Sequence, residues 1–161
     1  NIILKRMKRR HQRDDVIKVC EKLREKRPEV TFGADLIVGF PTENEEMFED
    51  TRTLVREAKI TQLHVFPYSQ RDGTPAQKMP QVPNQERKRR AKVLRSDGVA
   101  QLQFILDEGI GTKARVLIEN DEKGHCERFL PVVMNKTYKP GEIVNTRILA
   151  RDGNHWIGKG I

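Results

Sequence analysis

Two apolar runs, "VTFGADLIVGF" (Val30 to Phe40) and "LHVFPYS" (Leu63 to Ser69), are joined by one amphipathic helical pattern. That spacing restricts the first part of the chain to a parallel α/β layer. Leu36, Ile37 and Val38 are contiguous, as expected of a strand covered on both faces. Between the runs, Met47, Phe48, Thr51, Leu54, Val55 and Ala58 recur at helical spacing. Ahead of the first run, Asp14 is placed to cap a helix through about Arg27, with Val16, Ile17, Cys20 and Leu23 on one face; Pro28 stops it. After the second run, Gly73, Pro75, Pro80 and Pro83 punctuate an irregular crossing. Asn84 then opens a basic helix that Gly98 weakens.

Beyond Gly111 the pattern changes. "TKARVLIE", "HCERFLPVVM", "EIVNTRILARD" and "HWIGKGI" are short strand candidates separated by Gly-containing turns, which predicts a small β-barrel. The boundary falls near Asp97, giving an α/β part at residues 1–97 and an all-β part at 98–161. The first residue is Asn1 rather than Met, and the hydrophobic share is only 36% against 34% charged. The first suggests a fragment or a processed product, and the second an apolar surface that packs against material outside this chain.

The net charge of +8 points to a polyanion, most simply nucleic acid. Residues 59–96 hold nine Lys/Arg against Asp72 and Glu86. The first 13 residues hold six basic side chains and no acid, whereas the segment from Asp97 onward is neutral. Arg87, Lys88, Arg89 and Arg90 are the candidate phosphate-gripping residues on the basic helix, and Arg128 with Phe129 is a candidate pair for RNA in the tail. For any one basic cluster the competing reading is a solvated helix face, and Phe129 equally suits an alternating core position. Only Cys20 and Cys126 are present, without metal-ligand spacing, and His11, His64, His125 and His155 form none either. No metal site is therefore assigned. No apolar run is long enough to span a membrane, and no signal peptide is visible, so the cytoplasm is the expected compartment.

In an α/β sheet, ligands bind at the carboxyl ends of the strands. Two such ends occur here, Ile37-Val38-Gly39-Phe40 and Phe66-Pro67-Tyr68. Glu43, Glu45 and Glu46 crowd the following helix start, so the first turn is a poor phosphate loop. Taken locally it is an ordinary turn capped by Thr42 with Glu45, or by Asn44, or else a wall for a neutral or cationic ligand. No residue is assigned a catalytic role.

"ILKRMKRRH" (Ile3 to His11), "ADLIVGFPTE" (Ala34 to Glu43), "HVFPYSQRDGTPAQKM" (His64 to Met79) and the β-rich tail, taken in order, resemble the C-terminal portion of radical S-adenosylmethionine methylthiotransferases. The resemblance implies that residues 1 to about 97 are the later part of a radical SAM partial (βα) barrel and that the tail is a TRAM β-barrel. "LHVFPYSQRDGTPA" is most similar to the branch acting on threonylcarbamoyladenosine beside the tRNA anticodon. The alternatives are a methylthiotransferase for isopentenyladenosine tRNA or a ribosomal protein, and a non-catalytic RNA-binding module. The family implies S-adenosylmethionine and [4Fe-4S] clusters, with reductive cleavage giving a 5′-deoxyadenosyl radical and methylthio insertion. The cluster-binding CxxxCxxC motif is not in this chain, so the cluster ligands and the N-terminal half of the enzyme are expected elsewhere and this piece alone is expected to be inactive. Ile37, Val38, Gly39, Phe40, Phe66, Pro67 and Tyr68 would line the adenosine side of the cofactor. The family's "GFPGET" departs here to Thr42 for a glycine and Asn44 for a threonine. The implied partner is the tRNA anticodon stem-loop.

Overall fold

Capping chemistry decides where the first helices begin. In the computed structural model, which describes residues 1–161, a short α1 (Ile2–Arg6) precedes α2 (Arg13–Lys26). The cap of α2 is Gln12, not Asp14: the Asp15 carboxylate reaches back to accept the Gln12 amide at 2.8 Å in a capping box, which moves the start upstream. Cys20 is buried with Ala58 and Ile60, and Val16 and Ile17 pack partly against them, but Leu23 stays exposed.

The chain divides into two compact units, Asn1–Val99 and Ala100–Ile161. In the first, β1 (Gly33–Val38) and β2 (Gln62–Pro67) pair in parallel, linked through α3 (Glu45–Glu57), with Gly33 opposite Gln62 and Val38 opposite Pro67. Val38 and Val65 bury against Phe48 and Val55 of α3 and against Ala91 and Leu94 of α4 (Asn84–Glu108). Both helices cover the same face. The other face is bare, contrary to the cover on both sides that residues 36–38 suggested: Asp35, Ile37, His64 and Phe66 stand on it, exposed. A two-stranded sheet gives alternate residues opposite faces, and nothing within this unit reaches the second one.

A single helical turn at Pro75–Lys78 interrupts the crossing to α4. α4 passes through Gly98 without a break; a side chain there would meet Leu63 Cδ1 at 2.8 Å, so the glycine admits the β2 side chain. No helix is long and apolar enough to cross a membrane.

The second unit contains β3 (Lys113–Asn120), β4 (Lys123–Cys126), β5 (Pro131–Met134), β6 (Ile143–Asp152) and β7 (His155–Gly160). They close into a barrel in the order β3-β4-β5-β7-β6. "HCERFLPVVM" is two strands rather than one, because the chain turns at Phe129 with φ +58° and its amide bonds the Cys126 carbonyl at 2.8 Å. Strict alternation points Ala114, Val116 and Ile118 inward and Lys113, Arg115 and Leu117 outward. The interior is closed by Trp156, fully buried, whose Nε1 donates to the Leu106 carbonyl at 2.6 Å.

Candidate functional site

At the carboxyl end of β1 the chain reverses over Gly39-Phe40-Pro41-Thr42, closed by the Glu43 amide on the Phe40 carbonyl at 2.9 Å. Gly39 takes φ +69° and Thr42 φ +71°, both in the left-handed region. That region is free for glycine and costs a β-branched residue about 1–2 kcal/mol. Thr42 is held there because its amide donates to the Pro80 carbonyl at 3.0 Å while its hydroxyl donates to the Pro41 carbonyl and accepts from Arg6. Asn44, not Thr42, caps α3 by accepting the Met47 amide at 2.9 Å.

Glu43 does more than support the helix dipole. Its side chain is buried and accepts the Gly39 amide at 2.9 Å and the Arg90 guanidinium at 2.7 Å. Arg90, also buried, bonds the Glu43 carbonyl at 3.0 Å as well. A carboxylate, a turn amide and a guanidinium therefore join the turn to α4. Burial pushes the Glu43 carboxyl above its ordinary value, against the opposing pull of the Gly39 amide and Arg90. Around this core Arg89 bonds Glu45 and Glu86, and Arg90 also bonds Glu86. Glu86 is held down to about 2, chiefly by its hydrogen bonds from Arg89 and then from Arg90, with burial acting against them.

Arg87 fills the space that Gly39 leaves open. A side chain at Gly39 would lie 2.3 Å from Arg87 Cγ, and the Arg87 guanidinium donates to the Tyr68 carbonyl at 2.7 Å. The Tyr68 ring meets Phe40 edge-on at 5.2 Å between centroids. The space beside Gly39 is thus filled by α4, and the two strand ends are bridged from behind. Two buried polar atoms remain without a hydrogen-bond partner, and both belong to this corner: Tyr68 Oη and Arg87 Nε.

The residues expected to line a ligand fall into two groups. Val38, Gly39 and Phe40 are buried behind the turn, and Tyr68 is half-buried. Ile37, at 42% exposure, and Phe66, at 53%, are directly opposite one another on the bare sheet face, with Pro67 exposed beside them. The expected phosphate-gripping set divides as well. Arg90 is buried, Arg87 is half-buried, Arg89 is exposed but ion-paired, and Lys88 is exposed with no carboxylate in ion-pair reach. The sequence did carry a signal for this division: 87, 90, 91 and 94 share the helix face of the buried Ala91 and Leu94. In the barrel, Phe129 is 65% exposed and stacks on His125 at 4.9 Å, while the Arg128 guanidinium lies 4.7 Å from the Trp156 ring centroid. The role of Glu43 was not visible in the sequence, since a glutamate near a helix start is an ordinary partner for its dipole.

A profile of the radical SAM superfamily matches residues 1–55. Over 149 residues, 92% of this chain, the sequence is 55% identical to the threonylcarbamoyladenosine tRNA methylthiotransferase MtaB of Rickettsia prowazekii. It is 35% identical over 99% of its length to the tRNA-2-methylthio-N(6)-dimethylallyladenosine synthase of Orientia tsutsugamushi, and 40% identical over 76% to that of Rickettsia felis. The chain belongs with the radical SAM methylthiotransferases. It spans about a third of the length of these relatives, 35% and 37% of the first two.

The radical SAM family implies S-adenosylmethionine and iron–sulfur clusters for the whole enzyme, and the residues present fit these groups unequally. Cys20 and Cys126 are both buried, they belong to different units, and no three His, Cys, Asp or Glu side chains are placed to hold a metal. Burial also raises the Cys20 thiol above its ordinary value, which disfavours the thiolate a cluster needs. This donor set does not fit a cluster. At the strand ends the exposed side chains of Ile37 and Phe66 present an apolar surface of the kind an adenosine ring packs against, while the unpartnered atoms Tyr68 Oη and Arg87 Nε are buried behind it.

Proposed function

We propose that residues 1–97 are the later part of a radical SAM partial (βα) barrel and residues 98–161 a TRAM barrel, within a cytoplasmic transferase that methylthiolates threonylcarbamoyladenosine beside the tRNA anticodon. The observation that carries this reading is the bare face of the parallel β1–β2 pair, with Ile37 opposite Phe66 at its carboxyl end. Parallel strands are ordinarily covered on both faces, so a parallel pair covered on one side is a section of a larger layer. The choice of substrate is supported by the higher identity to the threonylcarbamoyladenosine enzyme, 55%, against 35% and 40% to the dimethylallyladenosine enzymes.

In this reading Ile37 and Phe66 form the apolar wall of the cofactor site, Pro67 and Tyr68 end the strand beside it, and Arg87 holds the Tyr68 carbonyl from behind. Val38, Gly39 and Phe40 set the strand end from behind, through the Glu43–Arg90 bond. Bound S-adenosylmethionine and an iron–sulfur cluster supply the radical chemistry; this chain's residues orient the adenosine and exclude water. The N-terminal half of the enzyme completes the layer and holds the cluster. Lys88 and the neighbouring exposed Lys92 contact tRNA phosphates, and Phe129 offers a ring for base stacking.

The test uses full-length protein carrying this segment. Phe66→Ala and Ile37→Asp are expected to raise the dissociation constant for S-adenosylmethionine tenfold or more, by roughly 1.4 kcal/mol, and to leave tRNA affinity unchanged. Unchanged cofactor affinity in both variants would remove the wall from the account. The 161-residue chain alone, supplied with iron, sulfide, reductant and S-adenosylmethionine, is expected to produce no 5′-deoxyadenosine; sustained turnover would refute the division of labour. Full-length enzyme acting on isopentenyladenosine tRNA in preference to threonylcarbamoyladenosine tRNA would overturn the substrate assignment.

A further inference from the structure

We propose that Arg87 of α4 is a positioning residue for the cofactor: it fixes the carboxyl ends of β1 and β2 against one another and so sets the affinity for S-adenosylmethionine. The inference rests on the reading of Ile37 and Phe66 as the cofactor wall, and deepens it. It also removes Arg87 from the basic run that the linear charge pattern offers to RNA.

The sheet ends at this corner. Val38 pairs with Pro67, which has no amide to donate, and the last bond between the strands runs from the Tyr68 amide to the Val38 carbonyl at 2.8 Å. β1 then leaves the layer at Gly39, with φ +69°. The Tyr68 carbonyl is left without a strand partner, and Arg87 supplies one, donating from Nη1 at 2.7 Å. The same side chain reaches the end of β1, where its Cγ stands 2.3 Å from the place a side-chain carbon at Gly39 would take. One residue of α4 thus bears on both strand ends, by a hydrogen bond on β2 and by packing on the bare backbone of β1. Ile37 and Phe66 pair immediately behind those ends, so the spacing and tilt of the wall follow them.

Stability alone does not account for an arginine here. α4 is held to the turn by other groups: Arg90 is bound to Glu43, Arg89 to Glu45, and Ala91 and Leu94 are buried beneath them. Arg87 Nε, moreover, is buried without a hydrogen-bond partner. A buried donor left unpaired costs free energy, and an aliphatic side chain of similar length would fill the space beside Gly39 without that cost. What the guanidinium adds is a directed bond to the Tyr68 carbonyl, which fixes geometry. A position that breaks a local rule of stability for the sake of geometry marks a functional site.

The test compares full-length natural enzyme with Arg87→Met, which keeps the aliphatic stem and removes the guanidinium, and with Arg87→Lys, which returns one donor. Phe66→Ala is run beside them as the probe of the wall itself. Arg87→Met is expected to raise the dissociation constant and KM for S-adenosylmethionine about tenfold while kcat at saturating cofactor changes much less. Arg87→Lys is expected to recover part of that loss. The slope of log affinity against log salt for a tRNA anticodon stem-loop is expected to stay as it is in both. Unchanged cofactor affinity in Arg87→Met beside weakened affinity in Phe66→Ala would overturn the role of Arg87 alone. Unchanged affinity in both would overturn the wall and this inference with it. A reduced salt slope in Arg87→Met would return the residue to phosphate binding and overturn the proposal. Gly39→Ala approaches the same contact from β1 and serves where Arg87→Met does not fold: cofactor binding is expected to weaken with tRNA affinity retained, and unweakened cofactor binding would overturn the proposal.

Discussion

The basic run on α4 and a row of cations across the barrel strands invert what a linear count of charge suggests. On α4, four consecutive cations stand in a segment with few acids, yet the fold assigns Arg90 to Glu43, Arg89 to Glu45 and Glu86, and Arg87 to the Tyr68 carbonyl. In the neutral tail, Lys113, Arg147 and Lys159 are far apart in sequence, and the register sets Arg147 directly opposite both of the others without a counter-ion. Charge density along a chain and charge available to a partner are different quantities. The first is a property of composition; the second depends on which carboxylates the fold brings within reach.

Several measurements can break or sharpen that contrast. The largest effect is expected for Arg90→Ala. It strands a buried carboxylate and the turn that depends on it, so denaturant unfolding is expected to show a loss of about 3–5 kcal/mol. A loss near zero would mean that the buried pair does not anchor α4. Gly39→Ala comes next: the added carbon meets Arg87 Cγ at 2.3 Å in a backbone with φ +69°, and a destabilisation of about 1–3 kcal/mol is expected. Thr42→Gly should act in the opposite direction by about 1 kcal/mol, because glycine takes φ +71° without strain. A destabilising outcome would show that the hydroxyl bonds outweigh the strain.

Acid provides the fourth test of the α4 network. The Glu86 carboxyl is held at about 2 in the fold against its ordinary 4.5. Its contribution to stability is therefore fully present above about pH 4.5 and is lost as pH falls toward about 2. Glu86→Gln should flatten the stability profile in that window, by a solvent-screened amount; an unaltered acid profile would discount the Arg89 and Arg90 bonds. The smallest effect is on the barrel. Removing one member of the cationic row, as in Arg147→Gln, relieves like-charge repulsion and should stabilise the chain by about 0.2–1 kcal/mol at low salt. Destabilisation would imply a partner for Arg147 within the chain.

The sequence revealed elements more readily than their exposure. The two strands, the helix between them and the β-rich tail were readable because period and turn chemistry are local. Residues 36–38 predicted cover on both faces, and the bare side shows the limit of that inference. Apolar runs report the surroundings a strand is suited to, and this chain by itself supplies cover on one side only. The ligand-lining set was legible as strand ends but not as front and back: Ile37 and Phe66 face outward while Val38 and Phe40 are buried, a division that needs the pairing register. The start of α2 moved to Gln12 because the capping box depends on two side chains acting together. Glu43 and Arg90 were each read by their neighbours in sequence, although their decisive contacts are 47 residues apart.

The central contrast is tested most directly by a charge-matched pair, Arg89→Gln on α4 and Arg147→Gln on the barrel, each of which removes one positive charge. For each, the affinity of the chain for an anticodon stem-loop is measured across a salt series. The account predicts that Arg147→Gln reduces the slope of log affinity against log salt by about one and that Arg89→Gln leaves it unchanged. A reduced slope for Arg89→Gln with none for Arg147→Gln, or equal reductions in both, would contradict it.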